Sequence, residues 1–292
     1  MSNLSKSLLL LLGVILLSLA AYAAALRPFI LHWGASESET SAFLPGDDMA
    51  PYTSSTRAVT IDAPKEVVWQ WLVQLGGDRG GFYSYTILEN LLGYDTDNTI
   101  VIVPEFQEMK VGRLVVSTPP SAKGTDKMSW KVVAVDPGKF FVLQGWGAFV
   151  LREAAPGKTR LIVRTHGWAT PSLAAKLGYF FTMPLHYLME RRMMLGIKAR
   201  AEAGTGVPLS SLPDYLWLAG VFLSLLGIIA LTFLAHRMWQ ALAPLVYGVL
   251  WLWVCLIADP TPGFALALLA VVAATMVWFS SGKSRGNRAK YS

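Results

Sequence analysis

Four stretches of this chain contain no Asp, Glu, Lys or Arg: Ser7–Leu26, Tyr215–Ala235, Met238–Ala258 and Thr261–Gly282. Each is about 20 residues long, the length an α-helix needs to cross a hydrocarbon core of roughly 30 Å. Between the first and second lies a polar segment punctuated by Gly and Pro, residues 34–210, which reads as one globular domain. The pattern predicts a small domain tied to a membrane at both ends. Its parts are an N-terminal anchor or signal peptide over 1–33, a linker over 34–55, the domain over 56–210, and three spans with a basic tail over 211–292.

Inside the domain the period changes from two to 3.6 and back. In Thr56–Ala63, Ala58, Thr60 and Asp62 alternate with Val59 and Ile61, a half-buried strand. Pro64 then opens a helix over 64–75, whose apolar face is Val67, Val68, Trp71, Leu72 and Leu75. Gly76-Gly77 stops it, and a glycine-rich loop leads to a short helix over 86–92, for which Thr86 with Glu89 fits a capping box. Candidate strands follow at Arg113–Ser117, Met128–Val135, Phe140–Gln144, Ala148–Glu153 and Thr159–His166, separated by Pro119-Pro120, Asp136-Pro-Gly138 and Ala155-Pro-Gly-Lys158. Pro171 opens a long helix to about 203, with Leu173, Leu177, Phe181, Leu188, Met189, Met193 and Ile197 as its apolar stripe and a kink expected at Pro184. Short strands joined by hairpin turns, with helices before and after, make the domain α+β with a curved antiparallel sheet.

Charge sharpens the membrane reading. The net charge is +6, yet residues 34–210 hold 18 Lys and Arg against 17 Asp and Glu. The basicity belongs to the membrane flanks, and no basic stripe with interleaved aromatics points to nucleic acid. The tail after Gly282 carries Lys283, Arg285, Arg288 and Lys290, which places it in the cytoplasm; counting back through the spans puts the domain outside, and Lys6 agrees. The first span has small residues at Ala21, Ala23 and Ala25 that suit signal-peptide cleavage, but its apolar run is longer than such a peptide needs, which favours an uncleaved anchor. The spans have no ionisable residue within them, which argues against a transporter or pump. Trp217, Trp239 and Trp278 stand near span ends as interfacial anchors do, whereas Trp251 and Trp253 lie deeper.

The element order, together with TRAVTIDAPKEVVWQWLVQLG, GDRGGFYSYTILENLLG, WGAFVLRE…GKTRLIVRTHG and HYLMERRMMLGIKARAE, resembles the SRPBCC superfamily (START-related, polyketide cyclase/dehydrase and lipid-transport proteins), in a membrane-anchored bacterial branch. The resemblance covers about 56–204 and implies a helix-grip fold: a sheet wrapped around the long closing helix, with an apolar cavity between them. Superfamily members include lipid carriers, cyclases and hydrolases, so the fold does not fix the activity.

The candidate chemistry is sparse. The cluster Asp78, Arg79, Tyr83, Tyr85 and Glu89 would roof a cavity, with Arg79 able to pair a carboxylate or phosphate headgroup. Phe181, Met189 and Met193 would wall it, Met being an adaptable lining residue. Arg79, Tyr83, Tyr85, Phe181, Met189 and Met193 are therefore the expected ligand-binding residues. Cys255 is the single cysteine, so no intramolecular disulfide forms, and the four scattered His (His32, His166, His186 and His236) show no metal spacing. No metal, cofactor or nucleotide motif is expected. The leading expectation is a membrane-tethered binding module for an apolar or amphipathic small molecule, such as a lipid. A cyclase/dehydrase-type enzyme and a structural or regulatory membrane protein are the alternatives.

Overall fold

The computed structural model of the protein describes residues 3–91, 93–94, 96–118, 128–167, 172–235 and 237–288, with side chains as far as 281. Pro119-Pro120, Pro171, His236 and Lys290, all named above, lie outside the described residues. The chain divides into two units, residues 31–209 and residues 1–30 with 210–292.

In the second of these, α1 (Asn3–Ala21) continues through a π-helical turn, Tyr22–Leu26, into α2 (Arg27–Leu31). With α7 (Leu212–Leu234), α8 (Leu242–Leu256) and α9 (Pro262–Arg288), it supplies four helices long and apolar enough to cross a membrane. Packing explains the small residues of α7. Gly220, Ser224 and Gly227 fall on one helix face. A Cβ at Gly220 would come 2.8 Å from the Ala265 side chain, and one at Gly227 2.5 Å from Val272. This is the close approach that small residues permit between helices in lipid. The deep Trp251 has a structural role, because its indole donates to the Val221 carbonyl of α7 at 2.8 Å. Trp217 departs from expectation: it is buried, not an exposed anchor.

Residues 31–209 are α+β. Six strands, β1 (Tyr52–Ile61), β2 (Leu114–Val116), β3 (Ser129–Asp136), β4 (Phe140–Gln144), β5 (Gly147–Ala155) and β6 (Lys158–Gly167), form an open antiparallel sheet in the order β1-β6-β5-β4-β3-β2. The helices are α3 (Glu37–Ser41), α4 (Lys65–Leu72), α5 (Thr86–Leu91) and α6 (Leu173–Ala203). Consecutive hairpins order β2 to β6, and β1 closes onto β6, with Arg57 opposite Val163.

Because side chains alternate along a strand, the sheet has two distinct faces. On one, Ile61, Val132, Phe141, Leu143, Phe149, Leu151, Leu161 and Val163 pack with α4 and with Met193, Met194 and Ile197 of α6. On the other, Ala58, Val142, Ala148, Val150 and Ile162 pack under Leu44. In the segment expected as a linker, 34–55, Ala35, Ala42 and Leu44 therefore cover the second face, and residues 52–55 open β1. Its helix α3 is fixed by a reciprocal capping box between Ser36 and Glu39. The capping role expected of Glu89 is not its main contact: its carboxyl is buried and accepts from the Thr96 hydroxyl at 2.9 Å. α6 runs without interruption through Pro184.

Candidate functional site

The sequence pattern hides a conflict at the start of β1. Arg57 has the parity of Val59 and Ile61, so it points from the core face of the strand, where it is fully buried. An unpaired charge there would be very costly. The pairing comes from α6, where the buried Glu190 carboxylate accepts from the Arg57 guanidinium. The other carboxylate oxygen accepts from the Trp146 indole at 3.1 Å.

Trp146 is aimed by its neighbours. It sits in the β4–β5 turn between Gly145 and Gly147, both at positive φ. A Cβ at Gly147 would fall 1.9 Å from the Arg164 carbonyl, so only glycine lets the two strands close there. The turn delivers the indole into an aromatic cluster, with Trp146 4.8 Å from Trp130 and 5.3 Å from Phe149 between ring centres.

One helical turn before Glu190, the His186 imidazole places Nε2 3.2 Å from the same carboxylate oxygen. That atom is shielded and makes no aligned hydrogen bond among the described residues. Burial pushes the Glu190 carboxyl pKa up, but Arg57 and His186 outweigh it and hold the value at about 2. Arg57 and Arg191 both place their guanidinium 5.2 Å from the Tyr187 ring centre, a cation–π pair on one aromatic. Arg57 also reaches the Met183 sulfur at 3.2 Å.

The cluster stands at a boundary. From Ser172 to Gly178 every residue of α6 is exposed, whereas Met183, Tyr187 and Glu190 are buried. His186 lies between, with its side chain 37% exposed. A bulge in β1 at Ser54 adds polar groups at the same edge. Tyr179 donates to the Ser54 hydroxyl at 3.2 Å, and Ser55 to the Thr165 hydroxyl at 3.0 Å. A buried, ionised carboxylate with a half-exposed imidazole beside it can orient a polar group or hold a proton at Nε2.

The residues expected at the site are dispersed. Arg79 donates to the Val73 and Phe106 carbonyls at 3.0 and 2.7 Å and lies over the Phe106 ring, so its guanidinium ties the glycine-rich loop together. Tyr83 is wholly buried, with φ of 57° and its backbone pressed on Gly196 of α6. Its hydroxyl accepts from Gln74 at 3.2 Å, and burial pushes its pKa up to about 12. Tyr85 is buried beneath the Arg192 guanidinium. Met193 belongs to the packed core, and Met189 is half-buried with its carbonyl accepting from Ser84. Phe181, read as cavity wall, is exposed. Tyr83, Tyr85, Met189 and Met193 thus come together along the C-terminal half of α6, while Arg79 and Phe181 lie elsewhere.

Protein-family models give no match to this sequence, and curated proteins give none. Among solved structures, the chain is similar to protein SSP2350 from Staphylococcus saprophyticus, with 13% identity over 53% of this chain and 96% of that one and a TM-score of 0.31. A likeness of this size fixes neither a fold family nor a function.

Sequence reasoning missed Arg57, Trp146 and Glu190. Two signals were available. Arg57 breaks the apolar parity of its strand, and Glu190 is the lone acidic residue between Glu153 and Glu202, inside a Met-rich run. Each is a charge in an apolar context, and together they mark a buried pair.

Proposed function

We propose that residues 31–209 are a binding module, tethered to a membrane, for an apolar or amphipathic small molecule such as a lipid. On this reading the fold is the helix-grip arrangement of the SRPBCC superfamily, supported by a six-stranded antiparallel sheet with the long helix α6 packed on one face. The observation that carries the proposal is His186, half-exposed beside the buried Arg57–Glu190 pair, where α6 passes from buried to exposed. A polar head would meet His186, and an apolar tail would have to part the buried aromatic and Met side chains there, Trp146 and Met183 among them. Binding sites combine such an apolar lining with a few fixed polar groups.

The test is mass spectrometry of small molecules retained by the intact protein in nanodiscs. A bound species present in the unaltered protein and depleted in His186→Ala, with both proteins equally folded, is the expected result. Equal occupancy, or no retained species in either, would remove His186 as a binding residue.

A second reading, a cyclase/dehydrase-type enzyme, is favoured by the His186–Glu190 pair, which resembles a base with its orienting acid. It predicts turnover that His186→Asn abolishes while ligand retention persists. The proposed topology keeps residues 34–210 outside and the tail in the cytoplasm. A compartment reporter inserted at the open hairpin glycine Gly157 and another fused at the C-terminus should report opposite sides; the same side from both would overturn that orientation.

A further inference from the structure

The first turns of α6 are unusual for a helix outside the membrane spans. Leu173, Leu177, Phe181 and Leu185 are 74, 54, 62 and 48% exposed. Spaced by four, they lie along one helix face, with Lys176 and Thr182 also exposed and Met183 buried on another side. An exposed apolar face of this kind is what a helix lying in the bilayer interface presents to lipid. Lys176 is the only Lys, Arg, Asp or Glu between Arg164 and Glu190. Its long stem allows the ammonium to reach a headgroup while the carbon chain stays in apolar surroundings.

Apart from Lys176, the polar side chains of this stretch named here bond within the protein. Ser172 caps the helix by accepting from the Ala175 amide at 3.2 Å, and the Thr182 hydroxyl donates to the Gly178 carbonyl at 3.1 Å. The Tyr179 hydroxyl donates to Ser54. Such local satisfaction is what an apolar solvent demands of polar groups.

The residues that follow the first candidate span are fixed within residues 31–209. That span ends at Leu31. Two residues later, the Trp33 carbonyl accepts from the Ala58 amide at 3.0 Å, and the Trp33 ring meets Tyr187 of α6 edge-on, 6.3 Å between centres. Tyr187 is about 9 Å along the helix from Phe181, at 1.5 Å per residue. Trp33 is therefore fastened to α6 at the boundary between its buried and exposed halves.

We propose that residues 172–185 of α6 insert into the headgroup–acyl boundary of the bilayer, as a second membrane contact separate from the four spanning helices. At about 14 residues, and with Lys176 within it, the segment is too short to span and suits an interfacial position. The occupant of the surface is lipid, and the inference does not depend on what His186 binds.

The test uses the full chain in vesicles of mixed phosphatidylcholine and phosphatidylglycerol. Cys255 is the single cysteine and is buried, so a Cys255→Ser background accepts one nitroxide label at a time. Labels are placed by Ala174→Cys, Leu177→Cys and Phe181→Cys, with Glu153→Cys on the exposed end of β5 as the water control. All are exposed positions, and three independent sites in the stretch guard against a single misfolded variant. The expected result is relaxation by oxygen several-fold stronger, relative to a water-soluble nickel complex, in the stretch than at the control. Nickel accessibility equal to the control would overturn the proposal by showing the helix in water. Shielding from both relaxants would overturn it by showing the helix against protein.

Discussion

The sheet carries two Arg–carboxylate–His clusters, one on each face, and only one of them is open. Arg164 on β6 lies opposite Thr56, one position from Arg57, so the two guanidinium groups point to opposite faces. Arg164 is saturated: it donates to the carbonyls of Glu39, Thr40 and Ala42, to the Thr56 hydroxyl, and to Asp47. His166 completes this cluster by bonding Asp47 at 2.8 Å, and its side chain is fully buried. Burial pushes the Asp47 carboxyl pKa up, but the Leu44 amide, His166 and Arg164 outweigh it and hold it below the usual carboxylate range. This cluster fastens residues 35–49 over the sheet. The Arg57 cluster uses the same chemistry but ends in a half-exposed imidazole. A closed ionic cluster is a staple, whereas an open one has capacity left for a ligand.

The largest test of the contrast is Arg57→Ala. It strands the Glu190 carboxylate in the core, and breaking a buried pair in this way costs about 3–5 kcal/mol. The expected outcome is a large fall in the unfolding midpoint of residues 31–209, followed by tryptophan fluorescence of the full chain. A loss smaller than that of Arg164→Ala would reverse the ranking of the two clusters.

Acid should remove the Glu190 contribution without mutation. The folded value is depressed from 4.5 to about 2, so the stabilisation is fully present above 4.5 and is lost as pH falls toward about 2. Unfolding followed across that window should show a progressive loss that Glu190→Gln flattens. An unchanged acid profile in that variant would mean that other carboxylates govern acid unfolding.

Arg164→Ala comes next, at about 2–3 kcal/mol, because its bonds are charge-assisted but Asp47 keeps some access to water. The specific signature is local: limited proteolysis should cut within residues 35–49 before the sheet unfolds. Protection of that segment in the variant would show that Leu44 packing alone retains it.

His186→Ala should have the smallest effect on stability, within about 0.5 kcal/mol, as expected for a partly exposed side chain without an aligned hydrogen bond. His166→Ala, by contrast, removes a buried contact to Asp47 and should cost about 1 kcal/mol. Equal losses at the two histidines would remove the distinction between open and closed clusters.

Much of the architecture was legible in the chain, and the failures have a common cause. The span boundaries and strands β2 to β6 follow from local periodicity, and Phe140–Gln144 was read to the residue. The helix over 64–75 was read too long by three residues at its end, and β1 too short by four at its start. Residues 34–55 were missed because a covering segment has no period of its own; only Leu44 and Asp47 reveal what it does. The contacts of the expected site residues were hidden for a similar reason. Tyr83 and Met193 are apolar-face residues that the core absorbed, and Arg79 among glycines ties its loop to carbonyls at the end of α4 and at Phe106.

By itself, the sequence determined four apolar helices, an α+β domain between them and the order of its elements, because these depend on residues close together along the chain. Tertiary structure alone decided the partnership of Arg57 with Glu190, 133 positions away, and the delivery of Trp146 to the same carboxylate. It also decided that α6 is buried in one half and bare in the other, although both halves carry an apolar stripe. The physical reason is that periodicity shows which side chains must avoid water. What covers them, and which buried charge meets its opposite, is set by the packing of elements distant in the chain.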